Sequence, residues 1–131
     1  MEFTQLVGRH FLSGVDRRME DTPLGRVHAL VFCLDDVVYA CCEDPTDGYR
    51  SAMEELQIRR NTSLSNTFYP IQVLATTEEG HILTLWDCVT HLLVLRVGTD
   101  FWYDYYPLYV AEFWPENMCL NVSGREEATH S

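Results

Sequence analysis

Apolar and polar positions alternate through the second half of the chain, and this pattern predicts β-strands. In the segment YPIQVLAT, Ile71, Val73 and Ala75 fall on one face of an extended chain, and Leu83 and Leu85 do the same in HILTLWDC. The segment HLLVLRVG is apolar on both faces, which is typical of a central strand. YYPLYVAEFW predicts a last strand, and its proline, which cannot donate a hydrogen bond to a neighbour, favours either an edge position or the start of the strand.

The first half contains one clear hairpin pattern. Two β-branched and aromatic runs, VHALVFCL and VVYACC, flank Asp35 and Asp36. This is a weaker turn pair than Asp-Gly, because the second aspartate must adopt a positive φ without the freedom of glycine. Upstream, the spacing over residues 3–13 predicts a short helix and the polar run 14–26 predicts a loop. A second short helix is predicted over residues 51–60.

Together these elements predict an α+β fold that is predominantly antiparallel. About six strands would form a meander sheet or a small barrel, with one or two short helices. Residues 1–122 are predicted to form a single compact domain, since 131 residues fit one domain and the 47% apolar content supplies a core. Residues 123–131 are predicted to form a polar C-terminal tail.

The charge balance is strongly acidic, with 20 acidic residues against nine basic residues and a net charge of -11. All nine basic residues are arginine, which excludes lysine chemistry such as a Schiff base. Direct binding to nucleic acid or to an anionic membrane is not expected, because both would repel the chain. A basic protein surface is the natural complement, although the charge is also compatible with a role in solubility alone.

Cysteine usage indicates a reduced, cytoplasmic protein. The five cysteines include no Cys-x-x-Cys pair, and no segment resembles a secretory signal or a membrane span. The thiols are therefore expected to be mostly buried as small hydrophobic side chains. Cys41 and Cys42 would point to opposite faces of a strand, so they cannot easily share a metal, and neither a metal site nor a cofactor is expected.

The chain shows no local signature of an enzyme. Its seven glycines are scattered singly, so no phosphate-binding or dinucleotide-binding loop is present. The histidines His10, His28, His81 and His91 lie in different segments, and no nucleophile motif accompanies them. The sequence therefore favours a protein that is not an enzyme and has no catalytic residues.

Two acidic loops form the candidate partner-binding surface. In GTDFWYDYYP five aromatic rings alternate along an extended chain, so they cannot all be buried on one face. Exposed rings of this kind are frequent in binding hot spots, and an arginine of a basic partner would add cation–π contacts. An aromatic core loop, turn-forming aspartates and a Ca²⁺ site remain alternatives. The predicted partner-binding residues are Asp100, Phe101, Trp102, Tyr103, Asp104 and Tyr105, together with Glu43, Asp44 and Asp47.

Three segments, HFLSGVD, EDPTDGYRS and VGTDFWYDYYP, carry a resemblance to a wider group. The sequence resembles small acidic proteins encoded by phages and prophages, over most of the chain, and the resemblance brings no assigned activity. It implies a phage context, in which small acidic proteins often inhibit host machinery by occupying sites meant for nucleic acid.

The leading hypothesis is therefore an acidic binding protein with a surface like that of a nucleic acid. Its partner would be a basic host protein of defence or nucleic-acid handling, in the host cytoplasm. One alternative is a protein that sequesters a small molecule or nucleotide in an aromatic pocket, with arginines such as Arg50 and Arg96 beside the rings. A toxin-neutralising immunity protein is another. The sequence leaves open whether the chain is a monomer or a homodimer.

Overall fold

The computed structural model describes residues 1–23, 25–43, 56–79, 81–101 and 108–117, and these residues form one antiparallel sheet of eight strands. A 3₁₀ helix, Phe3–Leu6, precedes the first strand, and residues 115–117, the last ones described, are helical. The strands are β1 (Gly8–Thr22), β2 (Gly25–Leu34), β3 (Val37–Cys42), β4 (Gln57–Ile58), β5 (Asn66–Glu78), β6 (Ile82–Asp87), β7 (Leu93–Asp100) and β8 (Leu108–Phe113).

The sheet consists of two meanders that join at β1 and β5. The strand order is β4-β3-β2-β1-β5-β6-β7-β8, and every pairing is antiparallel. The predicted antiparallel class is therefore confirmed, with eight described strands where about six were expected. As predicted from their patterns, β7 lies between two neighbours and β8 lies at an edge.

The N-terminal part of the chain differs from the sequence-based prediction. The expected helix over residues 3–13 is limited to Phe3–Leu6, and the expected loop over residues 14–26 is occupied mainly by β1 and the start of β2. This half of β1 is charged, yet its backbone pairs with β2 from Gly14 to Thr22. Charged residues have a low propensity for β-strands, but here the backbone hydrogen bonds to β2 outweigh that unfavourable propensity.

An irregularity at Ser13 bends β1 in its middle. The register shifts between Leu12 and Gly14 in both pairings: β1 has one extra residue, Ser13, against β2, and β5 has two extra residues between Thr67 and Ile71 against β1. Such bulges bend a strand and increase its twist. Glycine at position 14 leaves room for the Leu64 side chain in the loop before β5, because an added Cβ would lie 2.7 Å from Cδ1 of Leu64, which would have to move. The bend allows the first half of β1 to follow β5 and the second half to follow β2.

The main hydrophobic core lies on one face of the sheet, which we call the inner face. Ile71, Val73 and Ala75 of β5 and Leu83 and Leu85 of β6 point into it, so the alternation predicted for these two segments is confirmed. In β2, every second residue from Leu30 to Leu34 also belongs to this core. Phe3 and Leu6 of the 3₁₀ helix are buried in the same core. Fully buried members of the core include Leu30, Phe32, Ile71, Val73, Leu83 and Leu85.

The sheet folds over on itself, so that β8 crosses the inner face of the other half. The Tyr109 hydroxyl of β8 donates to the carbonyl oxygen of Cys41 in β3 at 2.7 Å. The Phe113 ring, four residues further along β8, stacks on Phe68 of β5 with 6.4 Å between ring centroids. Inward side chains of β8 therefore contact β3 and β5, which lie on either side of β2 and β1 in the sheet. β8, the edge strand, thus covers part of the core that these other strands form.

The β2–β3 turn is the predicted Asp35–Asp36 pair. Both residues adopt the left-handed conformation, with φ of 51° and 65°, which is the pattern of a two-residue type I′ turn. The Asp35 carboxylate also accepts the backbone N–H of Phe11 at 2.9 Å and lies 2.6 Å from Nδ1 of His10. Burial opposes the charge on Asp35, but the hydrogen bonds and the histidine outweigh it and lower the pKa of Asp35.

The described cysteines are free thiols that differ in burial. Cys41 is fully buried, and burial raises its pKa well above the usual value, with Cys42 adding to the effect. Cys33, Cys42 and Cys88 are half-buried, so the expected burial of most thiols holds for one of the four described. Cys119 lies outside the described residues.

No helix among the described residues is long and apolar enough to cross a membrane. Of the second predicted helix, residues 51–55 lie outside the described residues, and Gln57–Ile58 form β4. The predicted tail, 123–131, also lies outside them, so the boundary of the domain at residue 122 stays a prediction.

We expect Asp36→Gly to stabilise the protein by about 0.5–1 kcal/mol, because glycine adopts a positive φ without steric cost. Chemical denaturation at neutral pH measures the change. Asp35→Gly is the matched control: it gains the same freedom but loses the contacts with His10 and Phe11, so its free energy of unfolding should fall below that of the wild type. Equal stabilisation by both variants would contradict the role assigned to the Asp35 carboxylate.

A thiol reagent applied to the native protein should modify Cys33 and Cys88, should modify Cys42 more slowly because burial raises the pKa of its thiol, and should leave Cys41 unmodified until denaturant is added. The reactive species is the thiolate, which burial suppresses at Cys41. Peptide mass spectrometry after timed labelling measures each site separately. Labelling of Cys41 as fast as that of Cys88 in the native protein would show that the core around β3 opens readily.

Candidate functional site

Three of the predicted partner-binding residues fall in the part of the chain that the structure describes. Glu43 follows β3, Asp100 is the last residue of β7, and Phe101 comes directly after it. The other six lie outside the described residues: Asp44, Asp47, Trp102, Tyr103, Asp104 and Tyr105.

Asp100 is buried, with a side chain only 6% accessible. Its Oδ2 lies 3.5 Å from Nη2 of Arg96, and the same nitrogen donates to Oε2 of Glu78 at 2.8 Å. Burial disfavours the charge on Arg96, but the hydrogen bonds and charges of the two carboxylates outweigh this and raise the pKa of Arg96. Asp100 therefore orders the end of β7 rather than presenting an exposed charge.

The Phe101 ring is 49% exposed at the surface. It rests against the imidazole of His81, with ring centroids 4.7 Å apart and planes at 73°. This is the edge-to-face arrangement that aromatic pairs prefer. His81 therefore holds the ring in place while part of it stays open to contact.

Gly98 permits the close approach of β7 to His81. Its φ is +146°, and an added Cβ would lie 2.2 Å from the carbonyl oxygen of His81 and 2.7 Å from Cα of Ile82. Thr99 donates its backbone N–H to the same carbonyl oxygen at 2.9 Å. Glycine alone meets both demands, and it fixes the position at which Phe101 leaves the sheet.

Phe101 borders a depression of about 310 Å³ beside the β5–β6 turn. We call it the Phe101 depression, and it is lined by Glu78, Glu79, His81, Ile82, Thr99, Asp100 and Phe101. Glu79 is exposed, and the Glu78 side chain is 48% accessible. Three carboxyl groups and one guanidinium, that of Arg96, therefore lie in this region, so the depression is acidic.

Glu43 lies toward the same end of the molecule as Asp100, and Tyr109 links the two. Burial is the main cause that raises the pKa of Tyr109, and the nearby Glu43 carboxylate adds to it. Tyr109 in turn pairs with Thr99, the neighbour of Asp100. However, Oε1 of Glu43 accepts the backbone N–H of His28 at 2.8 Å, so this carboxylate is already engaged by the sheet.

His10 and Asp35, 2.6 Å apart, form the kind of pair found in some catalytic sites. Nε2 of His10 lies 2.5 Å from the carbonyl oxygen of Leu6, so both ring nitrogens face acceptors. The pair ties the 3₁₀ helix to the β2–β3 turn and leaves no ring nitrogen to take a proton from a substrate. Within the described residues, no three metal-ligating side chains converge on one position.

Most of the Phe101 depression was missed by the sequence analysis, because strand pairing assembles it from distant segments. A signal was nevertheless present in the consecutive hairpins β5–β6–β7. Their register places Glu78 opposite Ile82, and Ile82 opposite Gly98, so the acidic turn TEEG comes close to the start of GTDFWYDYYP. Glu78 and Glu79 were missed entirely, whereas Arg96 was named only for an alternative aromatic pocket and His81 only as one of the scattered histidines.

No family model, curated protein or solved structure matches the chain.

Gly98→Ala should destabilise the protein by about 1–3 kcal/mol through backbone strain, with a further loss from the clash at His81. Gly8→Ala is the matched control, because φ is +130° there and no atom lies within 4 Å of the added Cβ. Ring-current shifts of the His81 protons, observed by NMR, should be lost in the first variant and retained in the second. Equal stability of the two variants would contradict the proposed close approach.

Proposed function

We propose that the protein is a non-enzymatic binding protein that attaches to a basic surface of another protein through the Phe101 depression. The observation that carries the proposal is the half-exposed Phe101 ring, held by His81 beside the exposed carboxylates of Glu78 and Glu79. Aromatic side chains act as anchors in many protein-binding hot spots, and the Glu79 carboxylate beside this ring makes no ion pair with any of the described residues.

The chemistry of the depression favours an arginine or lysine of the partner. A guanidinium placed over the open part of the Phe101 ring would gain a cation–π contact. The Glu79 carboxylate would then supply a charge-assisted hydrogen bond. Arg96 is already committed to Glu78 and Asp100, so it does not compensate Glu79.

The remaining surface favours the same kind of partner. Four of the seven described arginines are paired with carboxylates: Arg18, Arg26, Arg59 and Arg96. Exposed acidic side chains occur at Asp36, Glu79, Glu112 and Glu116. This excess of negative charge would steer a basic surface toward the protein and raise its rate of association.

The resemblance to phage-encoded acidic proteins supports a narrower version of the proposal. The partner would be a host protein, in the host cytoplasm, whose basic surface normally contacts nucleic acid. By covering that surface, the protein would act as an inhibitor of defence or nucleic-acid handling.

We expect a nine-residue oligoarginine peptide to bind the protein and Phe101→Ala to weaken the binding by about 1 kcal/mol, or about fivefold, because the cation–π contact is lost. Tyr69→Ala is the matched control, since the Tyr69 ring is 77% exposed and lies outside the depression. Isothermal titration calorimetry measures both. Thermal melts should show that neither variant loses substantial stability, because both rings are exposed.

Salt provides a second arm of the same experiment. The Debye length falls from about 30 Å at 0.01 M to about 3 Å at 1 M, so the affinity for the peptide should fall steeply over this range. Equal affinities of Phe101→Ala and Tyr69→Ala would place the binding surface elsewhere. Binding that is insensitive to salt would contradict an electrostatic partner altogether.

A further inference from the structure

We infer that the inner face of the β1–β2 hairpin, where it extends past β8, binds a small ligand that carries an anionic group on an apolar body. This site is separate from the Phe101 depression and from the proposed basic partner. We call it the Arg17 groove, and it is lined mainly by Arg17, Met19, His28, Tyr109 and Ala111.

The register of the hairpin builds the floor of the groove. Because side chains alternate between faces, the pairs that share the inner face occur at every second position. Going outward from the core, the floor changes from apolar to polar. The pairs are Val15 with Phe32, Arg17 with Leu30, Met19 with His28, and Asp21 with Arg26.

The opposite wall is β8. Tyr109 is fixed there by the hydrogen bond from its hydroxyl to the carbonyl oxygen of Cys41, and Ala111 leaves space because its side chain is small. The depression between these residues and the hairpin measures about 460 Å³. A second depression of about 400 Å³, bordered by Phe113, lies on the other side of Arg17. Both volumes are typical of sites for small ligands.

Arg17 supplies the positive charge of the groove. It is exposed on the face of the sheet that elsewhere forms the core, and it makes no ion pair with any of the described residues. Its neighbour Arg18 also borders the groove, but Nε of Arg18 is held 2.6 Å from Oδ2 of Asp16. In a chain with a net charge of -11, an unpaired arginine at the base of a concave surface is well suited to bind an anion.

The surrounding groups do not compete for Arg17. The nearby Glu43 is turned toward the backbone N–H of His28 at 2.8 Å. The His28 ring is exposed in the groove, opposite Met19, and offers a second hydrogen-bond donor. Asp21, at the outer end of the hairpin, lies 3.4 Å from Arg26.

These features define the ligand class. A carboxylate or a phosphate monoester matches the planar guanidinium with two parallel hydrogen bonds. The 42% exposed Met19 side chain, Ala111 and the Tyr109 ring would cover an apolar body attached to that group. A neutral molecule of the same shape would leave Arg17 without its partner.

Three probes with the same alkyl chain test the inference: octanoate, octyl phosphate and 1-octanol. NMR titration should shift the backbone amides of Met19, His28 and Ala111 with the two anions, and 1-octanol should bind at least about tenfold more weakly, because a hydrogen bond to a charged group is lost. Tighter binding of octyl phosphate would identify a phosphate ester as the natural group, and tighter binding of octanoate a carboxylate.

Matched variants assign the effect to the groove. Arg17→Gln should weaken octanoate binding about tenfold and leave 1-octanol unchanged, whereas Arg60→Gln, an exposed arginine outside the groove, should change neither. Met19→Glu should abolish anion binding by repulsion without removing Arg17. The inference is overturned if neither anion shifts the groove amides, if Arg17→Gln and Arg60→Gln behave alike, or if 1-octanol binds as tightly as octanoate.

Discussion

The bend in the middle of β1 is the constraint on which the rest of the structure depends. β1 belongs to both meanders, because it pairs with β5 through its first half and with β2 through its second. A straight β1 would hold all eight strands in one open layer, and the apolar side chains of the inner face would stay in water. With the irregularity at Ser13, the two halves face each other, and β8 reaches Cys41 on the opposite side. Burial of both inner faces then favours the closed arrangement.

The strands on the two sides of this bend differ in length, and this difference produces both candidate binding regions, the Arg17 groove and the Phe101 depression. Among the described strands, β1 and β2 are the longer ones in this region, so the outer part of their hairpin extends past β8, and no described strand covers the Arg17 groove. On the other half, β7 ends against the β5–β6 turn, and Gly98 draws the two together until Phe101 meets His81. The core thus lies where the two halves of the sheet face each other, and the candidate sites lie at the ends of this shared region.

The sequence predicted those strands in which the pattern of apolar residues matches the positions that the structure buries. β2, β3 and β5 to β8 alternate or are apolar on both faces, and each was found. β1 was missed because its projecting half is charged and because Gly8 and Gly14 resemble breaks in a strand, whereas Gly14 makes room for Leu64. At the candidate site, the alternation of rings predicted that some of them would be exposed, as Phe101 is, but it did not predict the burial of Asp100. Asp100 and Glu78 both pair with Arg96, and this arrangement depends on the register of β5, β6 and β7.

Asp35, in the β2–β3 turn, helps to fix the register between β1 and β2. Its backbone N–H donates to the carbonyl oxygen of Phe11, and its carboxylate accepts the N–H of the same residue, both at 2.9 Å. The Asp35 carboxylate thus takes the place of a backbone carbonyl. Together with the Asp35 N–H it adds one more pair of hydrogen bonds to the β1–β2 ladder, beyond the last residue of β2. A shift of the hairpin by one residue would break this pair of hydrogen bonds and would also exchange the inner and outer faces of β2. The turn therefore acts as a stop that sets the alignment of two long strands from one end.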